Sequence, residues 1–450
     1  MSAPVISLLV LVVVFIVATV RNVSMGALAL VAAVVVGATV FDVPIKEVLG
    51  GFPSGLFVIL VGVTYLFGLA RGNGTVDWII HASVRAVGGR VAMIPWVMFF
   101  VCAVITAVGA VSPAAVAIIA PIAMGFAAQH GIHPVLMGMM VVQGATAGSF
   151  SPLGIFGSIT NGVVDRSNLA SNPTMLFLTT FVASVICAAI AFFAFGGRQL
   201  AQRTVDPATG AEFAAATGQV SRTLREPVRG TQQFRVDTGF HREADDITEA
   251  PALNLERILT LVGIVVLAVG ALALKWDVGV TALGVAIALT LIFPQSAKGA
   301  VDRISWGTVL LVGGIVTYVA LLEEQGVVKW LGDSVAKIGS PMLVALLICL
   351  IGAFVSALAS TTGILGALIP LAVPFLATGQ VGAVGLIAAL AISSSLVDCS
   401  PFSTNGALIV ANSAEAERDK VFKQLMIWGA AITVLTPLLS WGALVVPGWL

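Results

Sequence analysis

Apolar residues run along this chain in long unbroken blocks rather than in strict alternation. The blocks lie at residues 4–20, 25–41, 55–70, 91–108, 113–128, 134–148, 152–164 and 172–195. They resume at 256–274, 278–293, 306–322, 341–358, 363–377, 382–397, 401–411 and 424–446. Many approach the roughly 20 residues that a helix needs to cross hydrocarbon. The pattern predicts an all-α polytopic membrane protein. A polar stretch from Gly196 to Asn254 separates the two sets. With Glu256 and Arg257 it carries eight Arg and nine acids, and it includes an Ala/Thr/Gly/Gln-rich run at 208–219. Too few apolar residues are present there to build a core, so it reads as a linker. The expected units are residues 1–196, a linker at 197–254, and residues 255–450. The opening MSAPVIS lacks the basic region of a signal peptide, so the block ending at Arg21 reads as the first span.

The two sets of blocks repeat each other. GFPSGLFVILVGVTYLFGLARGNGTVDWI (51–79) lies over RISWGTVLLVGGIVTYVALLEEQGVVKWL (303–331) without a gap. Gly55/Gly307, Gly62/Gly314, Gly74/Gly326, Val76/Val328 and Trp78/Trp330 coincide at an offset of 252. GAVSPAAVAIIAPIA (109–123) matches LASTTGILGALIPLA (358–372) at an offset of 249, and SPLGIFGSITNG (151–162) echoes SPFSTNG (400–406). An internal duplication explains offsets this constant. Five crossings per half, an odd number, make the second half inverted relative to the first.

Two kinds of irregularity recur. The first is a bend at Gly109, Ala110, Val111 and Ser112, matched by Ala359, Ser360, Thr361 and Thr362. Neither bend carries a charge, so both read as tips of re-entrant hairpins buried at membrane depth, where irregular backbone needs protein or a wet cavity around it. Two ordinary spans joined by a tight turn are the alternative, and they leave the parity unchanged. The second irregularity is a polar break inside an apolar block. In the first half it runs through Gln143, Thr146, Ser149, Ser151, Pro152, Ser158, Thr160, Asn161 and Gly162. In the second it runs through Ser393, Ser394, Ser395, Asp398, Ser400, Pro401, Ser403, Thr404, Asn405 and Gly406. Pro152 and Pro401 suit the first turn of a new helix, with Ser151 and Ser400 as N-caps, and Ser112-Pro113 repeats the arrangement. Helix starts converging near the bilayer midplane present free N–H groups and partial positive charge, which favour an anion. No Lys or Arg lies in these segments, so hydroxyls, amides and backbone N–H would hold it.

Asp398 is the sharpest single residue, because an intramembrane carboxylate costs several kcal/mol unless paired, protonated or on an ion path. It reads as a ligand for a coupling cation or a proton carrier, or as a cap on a broken helix. Its counterpart is Ser149. Segments 75–87 and 327–338 mix Trp, charge and apolar residues and read as helices lying in the interface.

Composition narrows the function. Of 450 residues 58% are hydrophobic and only 10% charged, and mean hydropathy is +1.06. These values exclude a water-soluble globule and a disulfide scaffold. A formal net charge of +0 gives no reason to expect a nucleic-acid partner. The four cysteines show no metal-ligand spacing, and neither a metal nor an organic cofactor is expected. A catalytic set of Ser with His or Lys, or paired Asp, is not visible at membrane depth, which argues against an enzyme. With the linker inside, 17 Lys and Arg fall on the cytoplasmic side and 5 outside, so the positive-inside rule puts both termini outside.

These residues resemble the ion-transporter superfamily of secondary carriers, which includes the divalent-anion/sodium symporters. GAVSPAAVAIIAPIA (109–123), VGVTYLFGLARGNGTVDW (61–78) and GSFSPLGIFGSITNGVV (148–164) are similar to the MatC-like dicarboxylate (malonate) carriers. The resemblance implies an elevator-type carrier in the inner membrane, usually a homodimer. Its hairpins and broken helices would slide against a scaffold of the first spans of each half. It departs from the sodium/dicarboxylate relatives, whose hairpin tips carry Ser-Asn-Thr: the tips here contain no Asn. The expected activity is secondary transport of a small organic anion, most plausibly a C3 or C4 dicarboxylate such as malonate or succinate, driven by a sodium or proton gradient. The expected binding residues are Ser112, Ser151, Thr160, Asn161, Ser360, Thr361, Thr362, Ser400, Thr404 and Asn405, with Asp398 for coupling. A cation/proton antiporter or an inorganic-anion efflux protein of the same fold is the alternative.

Overall fold

The computed structural model describes residues 2–21, 23–85, 91–167, 169–200, 253–327, 330, 340–358, 361, 365, 368–369, 372–373, 375–376 and 379–448. The linker at 201–252, most of the segment 327–338 and most of the block at 363–377 lie outside them, as do Ser360 and Thr362.

The first half folds into α1 (Ala3–Arg21), α2 (Met25–Val40), α3 (Ile45–Gly50), α4 (Ser54–Gly72), α5 (Thr75–Arg85), α6 (Ile94–Ala107), α7 (Ser112–His130), α8 (Pro134–Ser149), α9 (Ile155–Arg166), α10 (Pro173–Ala194) and α11 (Gly197–Leu200). The second half supplies α12 (Leu255–Leu272), α13 (Val278–Ile292), α14 (Trp306–Glu324), α15 (Pro341–Leu358), α16 (Ala383–Ser395), α17 (Thr404–Asn412) and α18 (Arg418–Ser440). A 3-10 turn, Leu396–Cys399, follows α16, and a π turn, Trp441–Val445, extends α18. Among the described residues, six helical stretches are long and apolar enough to cross a membrane, and the helix through Ser112–His130 is one of them. At 1.5 Å per residue its 19 residues reach about 28 Å, close to the hydrocarbon thickness.

Several helices start at the spacings seen in the sequence. α4 and α14 are both 19 residues long and start 252 residues apart. α1 and α12 also start at that spacing. α9 and α17 start 249 residues apart. Packing exchanges the halves: α4 lies along α13, and α14 lies along α2. Both crossings depend on glycine. A Cβ on Gly62 would collide with the carbonyl oxygen of Gly279, and one on Gly314 with that of Gly26. Close backbone approach of this kind replaces hydrophobic force as the cement between helices in lipid.

α8 and α16 sit at the centre. Every residue from 135 to 150 and from 385 to 401 is buried. α6 and α10 flank α8, while α15 and α18 flank α16. The outermost helices turn apolar stripes outward. On α10, Leu178, Val182, Ile186 and Ile190 recur every four residues and are about half exposed, a face suited to acyl chains. The first hairpin bend is inside the protein, with Ala110 and Ser112 buried. Cys102, Cys187, Cys349 and Cys399 are all buried thiols.

Candidate functional site

Two helix breaks occupy the middle of the molecule. In the first, α8 ends at Ser149, whose hydroxyl donates back to the Ala145 carbonyl at 2.7 Å. Ser151 Oγ donates to the Ala107 carbonyl at 2.6 Å and accepts from the Gly154 amide at 2.9 Å. The second bond folds residues 151–154 into a turn and the first pins that turn to the end of α6, and α9 begins only at Ile155 with Gly154 as its N-cap. The second break has the same spacing but a different cap. α17 begins at Thr404 with Ser403 as N-cap, its hydroxyl accepting from the Gly406 amide at 3.2 Å. Gly157 and Gly406 lie so close to the carbonyls of Ser151 and Ser400 that neither position has room for a Cβ.

These geometries correct the expected caps. Ser151 and Ser400 precede the helix starts by four residues, and Pro152 and Pro401 lie in turns rather than in first helical turns. The serine hydroxyl captures the local backbone first, the usual competition between a side-chain turn and a helix. Ser112 is likewise the first helical residue of α7, and Val111 is the N-cap. The Thr-Asn-Gly echo also shifts. With Gly157 opposite Gly406, the counterpart of Asn405 is Phe156 and not Asn161.

The second break gathers polar groups from both halves. Asp398 is the one charged residue buried among the described residues. Its Oδ1 accepts from the Thr361 hydroxyl at 2.5 Å, and the Thr361 and Ser356 hydroxyls are 2.8 Å apart. Asn405 Nδ2 lies 3.5 Å from Asp398 Oδ2 and donates to Ser112 Oγ at 2.9 Å. The carboxylate on one side fixes the amide orientation, so Asn405 Oδ1 points away, and it has no partner among the described residues. Gln143 reaches across from α8, its amide donating to the Leu396 carbonyl at 3.2 Å while Oε1 stays unpartnered. The starts of α7 and α17 therefore meet beside Asp398. Each helix start carries roughly half a positive charge, about enough together to balance one carboxylate. A buried acceptor without a donor costs about 1–3 kcal/mol, so the Asn405 and Gln143 oxygens are available to a bound group.

Of the expected residues, Ser112, Thr361, Asp398 and Asn405 meet in this cluster. Ser151 and Ser400 are buried in the two turns, and Thr404 is exposed at the start of α17. Thr160 is buried with an unpartnered hydroxyl, and Asn161 is half-buried. Both lie in α9, and no hydrogen bond among the described residues ties them to Asp398. Ser356 and Gln143 belong to the cluster or its edge but were not among the expected binders. Ser356 faces Ala107 at the offset of 249, a polar-for-apolar exchange visible in the sequence.

A separate cavity of about 810 Å³ lies at the far ends of α7 and α17, lined in part by Met124, Gly131, His133, Phe195, Ser413 and Gln424. Ser413 is eight residues beyond Asn405, which places the cavity about 12 Å along the helix axis from the cluster.

Residues 1–149 match the family described as dicarboxylate carrier protein MatC N-terminus, and residues 271–448 match the family described as citrate transporter. Both matched families are carriers of the ion-transporter superfamily. The chain is a multi-pass membrane protein and a secondary transporter of organic anions rather than an enzyme. No curated protein matches it. Among solved structures it is similar to the YdaH transporter of Alcanivorax borkumensis, with a TM-score of 0.56 and 16% identity. That alignment covers 88% of this carrier and 86% of the other chain, a likeness of fold alone.

Proposed function

We propose that this carrier moves a C3 or C4 dicarboxylate, such as malonate or succinate, across the cell membrane on a sodium or proton gradient. The observation that carries the reading is the Asp398 cluster, a buried carboxylate set between two helix starts and lined by hydroxyls and amides. Ser112, Thr361 and Asn405 contact one another or Asp398, so an anion and a coupling cation would meet at one place. Ser151, Thr160, Asn161, Ser360, Thr362, Ser400 and Thr404 remain proposed contacts of the substrate path. The halves 1–196 and 255–450 would be inverted repeats with re-entrant hairpins. The body around α8 and α16 would slide as an elevator against α1, α2, α4 and their counterparts, in a homodimer. The charge distribution favours a cytoplasmic linker with both termini outside.

Uptake of radiolabelled malonate and succinate into proteoliposomes tests this reading. Concentrative uptake under an inward sodium or proton gradient is the expected result; equilibration regardless of gradient would remove the coupling. One observation favours a second reading, a cation/proton antiporter. Asp398 and the free Asn405 oxygen are both acceptors, and acceptors suit a cation. Cation flux without any dicarboxylate would select it.

A further inference from the structure

The two breaks follow a similar spacing, but among the described residues a buried carboxylate stands only in the second. At Asp398, the carboxylate faces Thr361 and Asn405, and Ser356 supports Thr361. The same four places in the first half, at the offset of 249, are Ser149, Ser112, Phe156 and Ala107. Ser149 lacks a charge, and its hydroxyl is used within its own helix. Phe156 replaces the amide, is buried, and packs edge-on against buried Phe150 with ring centroids 5.4 Å apart. Ala107 offers only its carbonyl, which Ser151 occupies. Ser112, the remaining hydroxyl, accepts from Asn405 and so belongs to the other half's cluster. A desolvated monovalent cation needs several oxygen ligands, and these four places offer it no carboxylate and no free side-chain oxygen, the unpartnered oxygens of Gln143, Thr146 and Thr160 lying at other positions of the first half.

We infer that the carrier holds one coupling-cation site, at Asp398, and moves one monovalent cation with each substrate, because Phe156 and Phe150 close the corresponding place in the first half. This inference rests on the coupling role proposed above for Asp398. The ring pair would serve instead as a rigid wall, positioning α9 against α8 while the second break carries the charge.

The test is the balance point of transport. Full-length carrier in proteoliposomes is held at zero membrane potential with radiolabelled malonate on both sides. A tenfold inward gradient of the driving cation is imposed, sodium in one arm and protons in the other. With one cation per substrate, net malonate flux vanishes at a tenfold opposing malonate gradient. A balance at a hundredfold gradient means two cations and overturns the inference while leaving the carrier reading intact. Gradient-driven accumulation of wild-type size in Asp398→Asn also overturns it, since coupling would then not depend on the Asp398 site. No malonate flux at all would sink the carrier reading and this inference together.

Discussion

At the first break the chain places Ser149, Phe150 and Phe156; at the second the same places hold Asp398, Cys399 and Asn405. Around them the framework is similar, although α8 stays helical through Ser149 whereas a 3-10 turn follows α16 at Leu396, and Ser403 caps its helix where Gly154 cannot. Each break has a serine-led turn, a glycine pressed on a carbonyl, and a new helix six residues past the Ser149 or Asp398 position. The backbone plan of a break is thus separable from its chemistry. Glycine and hydroxyl caps bend the chain, and the side chains set into the bend decide whether it becomes a wall or a binding place.

Substitutions can break or sharpen that contrast. The largest expected effect is on stability: Phe156→Ala removes a buried ring and should cost about 3–5 kcal/mol. Thermal unfolding in detergent would show it as a lower Tm, while the balance point of the surviving carrier stays unchanged. Asp398→Asn keeps the shape but removes the charge. Hydrogen bonds to charged groups are worth about 1.5–3 kcal/mol, so gradient-driven uptake should fall by about tenfold to 150-fold, with Tm held or raised. Gly157→Ala and Gly406→Ala should each destabilise by about 1–3 kcal/mol, because the added methyl meets backbone that cannot yield. Similar losses are expected in the two halves, and a marked inequality in Tm would show that the breaks are not built alike. Asn405→Ala removes neutral hydrogen bonds worth about 0.5–1.5 kcal/mol, so uptake should drop by roughly two- to twelvefold. Ser149→Ala closes the series: its hydroxyl only returns to its own helix, and uptake and Tm should move by less than about 0.5 kcal/mol equivalent.

Much of the fold was legible because apolar blocks and glycine spacing are written directly in the chain. The block at 55–70 became α4, and the offset of 252 reappeared in the starts of α4 and α14. Asp398 stood out because a lone carboxylate in an apolar block has few innocent explanations. The helix starts were displaced because Ser151 and Ser403 side chains compete with backbone for the same amide groups, and sequence spacing does not say which wins. The Thr-Asn-Gly at 160–162 resembles that at 404–406, but the offset that pairs Ser149 with Asp398 sets Phe156 opposite Asn405, and the packing of Gly157 and Gly406 against their carbonyls agrees with it. Ser356 and Gln143 act across 42 and 253 residues of sequence, to Asp398 through Thr361 and to Leu396 directly. Such contacts are set by tertiary packing alone.

The most direct test of the central claim, that Asp398 couples substrate movement to a cation gradient, is a paired uptake measurement. Wild type and Asp398→Asn are reconstituted in parallel, and radiolabelled malonate and succinate uptake is followed with sodium or proton gradients imposed and abolished. The predicted result is gradient-driven accumulation in wild type and its loss in the variant, which still unfolds cooperatively. Accumulation of equal size in both proteins would contradict the claim and leave Asp398 as a cap on a broken helix.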